Sequence, residues 1–495
     1  MKLKWHNLAN LVGVVFFSLL GFAVLGYHPG FEDDGVYLAA IKHNVDPNLY
    51  PHDADFFQLQ LQATLFDDWV GATVRGTGLS IGTVALLWQF ASILLTIYAC
   101  WSIARALFRN TYEHWAGVAM VAAMFTLPVA GTGLFLLDQH LHPRNVATAL
   151  ILLAVARILH GQRWVAAPLL ALAFVVHPIM AAVGILFCLT LVLVLNDATY
   201  TRLTRWRITG TGMAAALPLG WIFEPPNPLW KQALDTRTYY YLYKWQWYEW
   251  LGAIAPLVLF FLLWRMAEKH QHRRLARFAC AVFAYALVLQ CFTMIALGSP
   301  TLIRITPFQP MRYLQLVYVF LCLMGGSLLG RFLLKTHAWR WGAYLLVFNS
   351  AMLAAECAQF DDTPHLELPG QPSPNPWIEA FAWIRTHTPT DAYFALDPYY
   401  LDTRGEDVHG FRALAERSQL ADAVKDTAVV TQVPRLGPVW YAQSQAGKNW
   451  KNFTLADFQK LKTRFGVDWV LVSDPAPAGL ACHWHNGRLS VCEIP

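Results

Sequence analysis

"LANLVGVVFFSLLGFAVLGYHPGFEDDGVY", residues 8–37, joins an apolar run to three consecutive carboxylates, Glu32, Asp33 and Asp34. A bilayer core about 30 Å thick takes about 20 apolar residues of helix. The run 8–27 supplies them, with Lys2 and Lys4 in front. The stretch "GFAVLGYHPGF" offers only a weak signal-peptidase site, so the run reads as a retained first span. Carboxylates just past a span must face water or a partner, because burying an unpaired charge is costly. The rest of the chain decides which side that is.

Of 495 residues, 56% are hydrophobic and 14% charged, with a mean hydropathy of +0.36. Soluble domains are about 25% charged. Further apolar windows lie near 81–104, 115–130, 146–160, 164–177, 178–196, 208–223, 249–266, 276–298, 313–334 and 340–357. The expected fold is a polytopic α-helical membrane protein of about eleven transmembrane helices. The 21 Trp, 19 Tyr and 30 Phe suit interfacial belts. The net charge of +5 does not call for nucleic acid, because the basic residues concentrate in alternate loops. These are 105–114 (Arg105, Arg109), 160–163 (Arg163), 197–207 (Arg202, Arg205, Arg207), 265–277 (five Lys or Arg) and 331–340 (Arg331, Lys335, Arg340). By the positive-inside pattern, they and the N-terminus face the cytoplasm. The segments 28–80, 131–145, 224–248, 299–312 and everything after 358 then face outward, into the periplasm.

Composition divides the chain into a membrane part (1–358) with a long first outer loop (28–80), a Pro-rich linker (359–376) and an outer α/β domain (377–495). Residues 53–70, "DADFFQLQLQATLFDDWV", form an amphipathic helix that lies on the membrane or packs on the outer loops. In the last part, 377–387, "FRALAERS" and 454–464 read as helices, and 392–397, "TAVVTQV" and "VDWVLVSD" as strands. Cys482 and Cys492 bracket "HWHNGRLSV", whose Asn-Gly turn can close a hairpin and bring the thiols into a disulfide. His177-Pro178 interrupts 164–196, with His177 as a cap.

The outward loops hold the chemistry. Glu32, Asp33 and Asp34, beside Tyr37, could start a helix, or supply a general base or cation site. "LLDQHLHPRN" places Asp138, His140, His142 and Arg144 within seven residues. Asp138 and His140 could hold a divalent cation, and Arg144 a phosphate. The loop 224–248 is aromatic-rich and contains Lys244, and "RITPFQPMRY" places Arg304 and Arg312 at the outer edge.

Together these features resemble the GT-C superfamily of membrane glycosyltransferases. They are "EDDGVY" straight after the first span, the polar loop with "HPRN", and the short span "RWVAAPLLALAFVVHP". The Arg-bearing entry "QPMRYLQL" and an appended α/β domain with "WIRTHTPTDAYFALDP" complete the set. The resemblance implies sugar transfer from a polyprenyl-phosphate carrier to an acceptor on the outer face of the bacterial inner membrane. It assigns the base to Asp33, with Asp34 and Glu32 beside it. Arg144, Arg304 or Arg312 would stabilise the leaving phosphate, with His142, Tyr37 and Lys244 as further substrate contacts. Some members use a divalent cation (Mg or Mn) and others none. This chain has Asp-Asp where many bacterial relatives have Asp-Glu. A transporter or flippase of lipid-linked saccharides is an alternative, but it calls for ionisable residues deep in the spans and inverted repeats, and neither is evident. A non-catalytic assembly subunit of the same fold is the other.

The loop charges make a topological prediction. A reporter active only in the cytoplasm, fused after Pro495, should be silent; activity there would invert every outward placement.

Overall fold

The computed structural model describes residues 2–204, 226–403 and 406–495. The expected span at 208–223, with Arg205 and Arg207, lies outside them. The helices of the first part are α1 (Lys2–Leu25), α2 (Asp34–Val45), α3 (Asp55–Leu61), α4 (Phe66–Thr77), α5 (Ile81–Leu107), α6 (Thr111–Ala123), α7 (Pro143–Leu159), α8 (Arg163–Val176), α9 (Pro178–Leu195) and α10 (Asp197–Thr204). Then come α11 (Pro228–Asp235), α12 (Trp247–Lys269), α13 (Arg273–Gly298), α14 (Tyr313–Leu329) and α15 (Ala338–Cys357).

Six stretches are long and apolar enough to cross a membrane: Leu8–Leu25, Ile81–Leu107, Pro178–Leu195, Trp247–Lys269, Arg273–Gly298 and Pro310–Leu334. This is a multi-pass membrane protein, but the count of eleven is not reached among the described residues. The windows at 115–130, 146–160 and 164–177 became α6, α7 and α8, of 13, 17 and 14 residues. At about 1.5 Å per residue these span roughly 20–26 Å, short of a bilayer core. The window 340–357 became α15, which carries Arg340, Asn349 and Glu356.

The basic loops meet at one end of the bundle. Arg274 donates to Ala106 O (3.5 Å), Arg277 to Leu195 O (2.9 Å), and Arg331 Nη2 faces His272 Nε2 at 3.0 Å. At the other end, α7 and α9 start with the same device. His142 Nδ1 accepts from Arg144 N (2.9 Å) and His177 Nδ1 from Met180 N (3.3 Å), each followed by Pro at the first helical position. Proline suits that position, because the N–H it lacks would have no partner there. The interruption at His177-Pro178 is thus a helix boundary.

The expected single helix over 53–70 is two, α3 and α4, broken around Thr64. Phe56, Phe57, Phe66 and Val70 are fully buried in the protein core, so the apolar face packs on protein. Beyond the linker lie α16 (Pro376–His387), α17 (Phe411–Ala415), α18 (Asp426–Gln432), α19 (Gly437–Ala446) and α20 (Leu455–Phe465). The strands are β1 (Tyr393–Ala395), β2 (Ser418–Gln419), β3 (Trp469–Ser473), β4 (Ala481–His485) and β5 (Leu489–Glu493). They form one sheet of order β2-β1-β3-β5-β4, parallel from β2 to β3 and antiparallel thereafter. Cys482 and Cys492 face each other on β4 and β5 and are joined by a disulfide. "TAVVTQV", read as a strand from its β-branched residues, is helical instead. Asp422 Oδ1 accepts three backbone N–H groups at its start, from Val424, Lys425 and Asp426, and nucleates α18.

This last part is fused to the first. Val429, Val430 and Trp440 belong to the same apolar core as the bundle. Lys42 pairs with Glu416 (2.6 Å), and Tyr50 OH donates to Arg412 O (2.8 Å). Gly410 N donates to Gly30 O (2.8 Å), and a Cβ on Gly410 would lie 2.5 Å from Gly35 Cα.

Within the bundle, α6 and α14 approach through Gly117 and Gly326. A Cβ on Gly326 would meet Ala116 O at 2.5 Å. We predict that Gly326→Val costs at least about 1–3 kcal/mol by overpacking. Gly342→Ala, with nothing within 4 Å of the new methyl, should leave the melting temperature of the detergent-purified protein unchanged.

Candidate active site

The site is built around the loop that leads into α7. Asp138 receives two bonds from Arg144, Nε to Oδ2 (3.0 Å) and Nη2 to Oδ1 (2.6 Å), with both side chains buried. Asn145 staples the loop: it donates to Asp138 O, His140 O and Gln89 Oε1 and accepts from Asp138 N. His28 N donates to Gln139 O (2.8 Å), which ties the segment after α1 to the one before α7. Burial alone would raise Asp138, but Arg144 brings its pKa down to about 2.

Glu32 has φ +51°, a left-handed conformation that a side chain rarely adopts. Asp33 is the N-cap of α2 and Asp34 its first residue, so their side chains leave the helix start in different directions. Asp33 lines two cavities and its side chain is 41% exposed into them. Asp34 lines neither; it is 3% exposed and accepts from Gly30 N at 2.6 Å. The expected partnership of Asp33 and Asp34 at one centre is therefore not what the structure holds. Asp34 is a turn-fixing group, and burial raises its pKa. Lys425 reaches Asp33 Oδ1 (3.3 Å) and contacts Glu32 Oε2. Burial works against ionisation of Asp33, yet Lys425 above all holds its pKa well below the usual carboxylate range.

The first cavity, about 310 Å³, is lined by Asp33, Tyr37, His142, Arg144, His177, Tyr239, Tyr240 and Arg312, with Leu59, Val176, Ile179 and Phe308 along its apolar side. His142 Nε2 lies 3.7 Å from Asp33 Oδ2, and the Tyr37 ring packs edge-on against His142, centroids 4.6 Å apart. Burial, then Arg144, lowers the His142 pKa to about 4, so the ring is neutral at pH 7. Because Nδ1 of both His142 and His177 accepts a backbone N–H, the ring proton of each neutral imidazole sits on Nε2. His177 Nε2 then faces Arg312 Nη1 at 3.5 Å, donor against donor. Arg144 Nη1 is buried without a partner. Arg312 is held by Gln309 Oε1 (3.0 Å), with no carboxylate among its described partners. Three donors without an acceptor in one cavity suit an anion.

The second cavity, about 290 Å³, shares Asp33, Arg144 and Tyr239 with the first and adds Glu32, Asp138, His140, Arg237, Asp402 and Lys425. Both ring nitrogens of His140 are buried without partners. Lys244 and Arg304 line neither cavity; Lys244 lies over the Tyr241 ring, its Nζ 5.0 Å from the centroid. His177, Tyr239, Tyr240, Arg237 and Lys425 were not among the residues expected from sequence. Of these, His177 had a local signal in its place before Pro178 at the end of an apolar run, and Arg237, Tyr239 and Tyr240 lie in the aromatic-rich loop 224–248.

Of the two residues expected to hold Mg or Mn, Asp138 and His140, only His140 keeps free ligand atoms, and one imidazole does not make a site for a hard divalent cation. Both Asp138 oxygens are engaged by Arg144, and the Glu32 and Asp33 carboxylates by Lys425. Among the described residues, ligand atoms converge within 4.8 Å at His28, Glu367 and His409, which include none of that set. There Glu367 Oε1 faces His28 Nδ1 (2.8 Å) and His409 Nε2 (2.9 Å), a hydrogen-bonded clasp between the first outer loop, the linker and the last part.

No protein-family model matches the chain, and no curated protein matches it in sequence. Among solved structures, the chain is similar to the apo form of the Archaeoglobus fulgidus oligosaccharyltransferase. The match has 11% identity and a TM-score of 0.47, and it covers 94% of this chain and 69% of that one. A likeness at this level is one of shape and carries no chemistry across.

The Asp138–Arg144 pair yields a prediction. Asp138→Ala strands a buried guanidinium and should cost about 3–5 kcal/mol. Because the folded pKa is depressed, the wild-type pair contributes fully above about pH 4 and is lost as pH falls towards 2. The stability gap between wild type and variant, followed by denaturation from pH 7 downward, should narrow over that window; a gap independent of pH would contradict the pairing.

Proposed function

We propose that this protein is an integral membrane glycosyltransferase of GT-C type. It would move a sugar from a polyprenyl-phosphate carrier to an acceptor on the outer face of the bacterial inner membrane. The observation that carries the reading is Asp33, ionised and accessible on the wall between two cavities, one apolar along a side and furnished with Arg144 Nη1, Arg312 Nη1 and His177 Nε2 as donors without an acceptor. The sequence resemblance supports the same class, through "EDDGVY" and "HPRN".

In this reading the carrier lies in the first cavity. Its phosphate sits among Arg144, Arg312 and the His177 Nε2–H, and its prenyl chain along Val176, Ile179 and Phe308. The acceptor enters from the second cavity. Its nucleophilic atom attacks the anomeric carbon, its proton passes to Asp33, and the bond from that carbon to the phosphate oxygen breaks. The charge that develops on the leaving phosphate falls among donors already aimed at it, which is where fixed dipoles help most. His142, neutral, offers its Nε2–H towards Asp33 Oδ2. Neither Asp34 nor Lys244 has a step in this chemistry.

Asp33→Asn tests it. Asn keeps the shape and the backbone turn, so the melting temperature should stay close to wild type. Transfer of label from a polyprenyl-phosphate sugar should fall about 10²–10⁴-fold, as loss of a general base does. Turnover within a few-fold of wild type would end the assignment. Arg312→Ala should weaken carrier binding while leaving Asp33 intact, seen as less polyprenyl phosphate co-purifying by mass spectrometry.

A further inference from the structure

Lys425 is mounted with unusual care. Asp422 Oδ1 accepts the N–H groups of Val424 (2.8 Å), Lys425 (2.5 Å) and Asp426 (3.2 Å), which curls the chain into a tight turn. Asp426 is in turn gripped by Arg412 through two bonds of 2.8 and 3.0 Å, with both side chains buried. Trp440 Nε1 donates to Asp422 O (3.0 Å), and Arg237 donates to Val424 O. A buried ion pair contributes little net stability, because desolvation offsets most of its attraction. What this network does secure is position: it aims the Lys425 ammonium at the Glu32–Asp33 pair.

On the other side, the Glu32 and Asp33 carboxylates converge on that one ammonium. Two adjacent carboxylates repel unless a cation sits between them. Membrane transferases of the proposed class in some cases use a divalent ion for this, but here the ammonium already contacts both acids. Of the two residues expected to bind a metal, Asp138 gives both oxygens to Arg144, which leaves the single imidazole of His140.

We propose that Lys425 Nζ is the resident cation of the Glu32–Asp33 centre, standing where a divalent ion would otherwise be held, so that the centre works without metal. Lys425 is a positioning residue. It takes Oδ1 of Asp33 and leaves Oδ2 turned to His142 and the incoming acceptor. It favours the ionised form of Asp33, and as part of the chain it does not exchange with the medium. This inference rests on the assignment of Asp33 made above, but its test does not need turnover.

The test is Mn²⁺ binding to the full-length, detergent-purified protein without sugar donor, followed by electron paramagnetic resonance. Wild type and Asp33→Asn should give the same signal, with no Asp33-dependent bound Mn²⁺. Lys425→Met, which keeps the stem and removes the charge, should open a Mn²⁺ site that disappears in Lys425→Met/Asp33→Asn. Asp33-dependent Mn²⁺ in the wild type overturns the proposal, and that comparison stands even if the Lys425 variants fold poorly. A folded Lys425→Met that gains no such site also overturns it. In a transfer assay, a chelator should leave wild-type turnover unchanged. If Asp33→Asn keeps its turnover while the Mn²⁺ results come out as expected, the transferase reading fails and the cation assignment survives.

Discussion

Everything at the polar end of the bundle hangs on one buried bidentate pair, Asp138 with Arg144. The pair closes a seven-residue loop on itself, and Asn145 locks the closure by serving three acceptors and one donor. The loop presents His140 and His142 and leaves one Arg144 nitrogen over. Such a pair offers weak stability in itself, because both charges give up water to form it. Its value is geometric, since it fixes where three functional groups point before any ligand arrives, the condition for electrostatic preorganisation.

The two His-Pro helix starts extend that logic. Capping a helix with Nδ1 leaves a neutral imidazole no choice of tautomer, and the remaining N–H must project from Nε2. One such N–H points towards Asp33 and the other towards Arg312. The rings lie 6.2 Å apart, so α7 and α9 deliver two oriented donors to one cavity by a purely local rule. Helix termination and ligand recognition are here the same hydrogen-bonding event seen from two nitrogens.

Half of that rule was legible in the sequence, His177 before Pro178 as a cap, and so were the long helices and the end of the bundle to which Asp33, Tyr37, His142, Arg144 and Arg312 belong; His142 read only as a substrate contact, and His28-Pro29 starts no helix. All five lie where the chain enters or leaves an apolar segment, and loop parity sorts such positions. Helix lengths were less legible: α6, α7 and α8 are apolar enough to look like spans, and only caps such as Asn110 with Glu113 shorten them. The division of labour between Asp33 and Asp34 could not be read, because successive residues at a helix start diverge and only the tertiary structure decides which of them faces the cavities. The helix α18 was lost to its β-branched residues, since the side chain that starts it, Asp422, lies outside the apolar run. Tyr239 and Arg237 were marked only as part of the aromatic-rich loop 224–248, and Lys425 had no local signal at all; their roles arise from tertiary packing between distant segments.

The contact between Lys425 and Asp33 joins residues 392 positions apart. Translation therefore sets an order of events. When the last apolar helix, α15, has been made, the walls supplied by α7, α9 and α14 can already stand, yet Glu32 and Asp33 still lack their counter-charge. That charge arrives only when the chain has grown beyond residue 425 and the turn at Asp422 has closed. A chain that stalls in the linker has only the bundle side of its cavities, without the walls from Leu401 onward and from α18, and its acidic pair lacks the counter-charge. The protein thus carries in its charge balance a record of whether its own synthesis was completed.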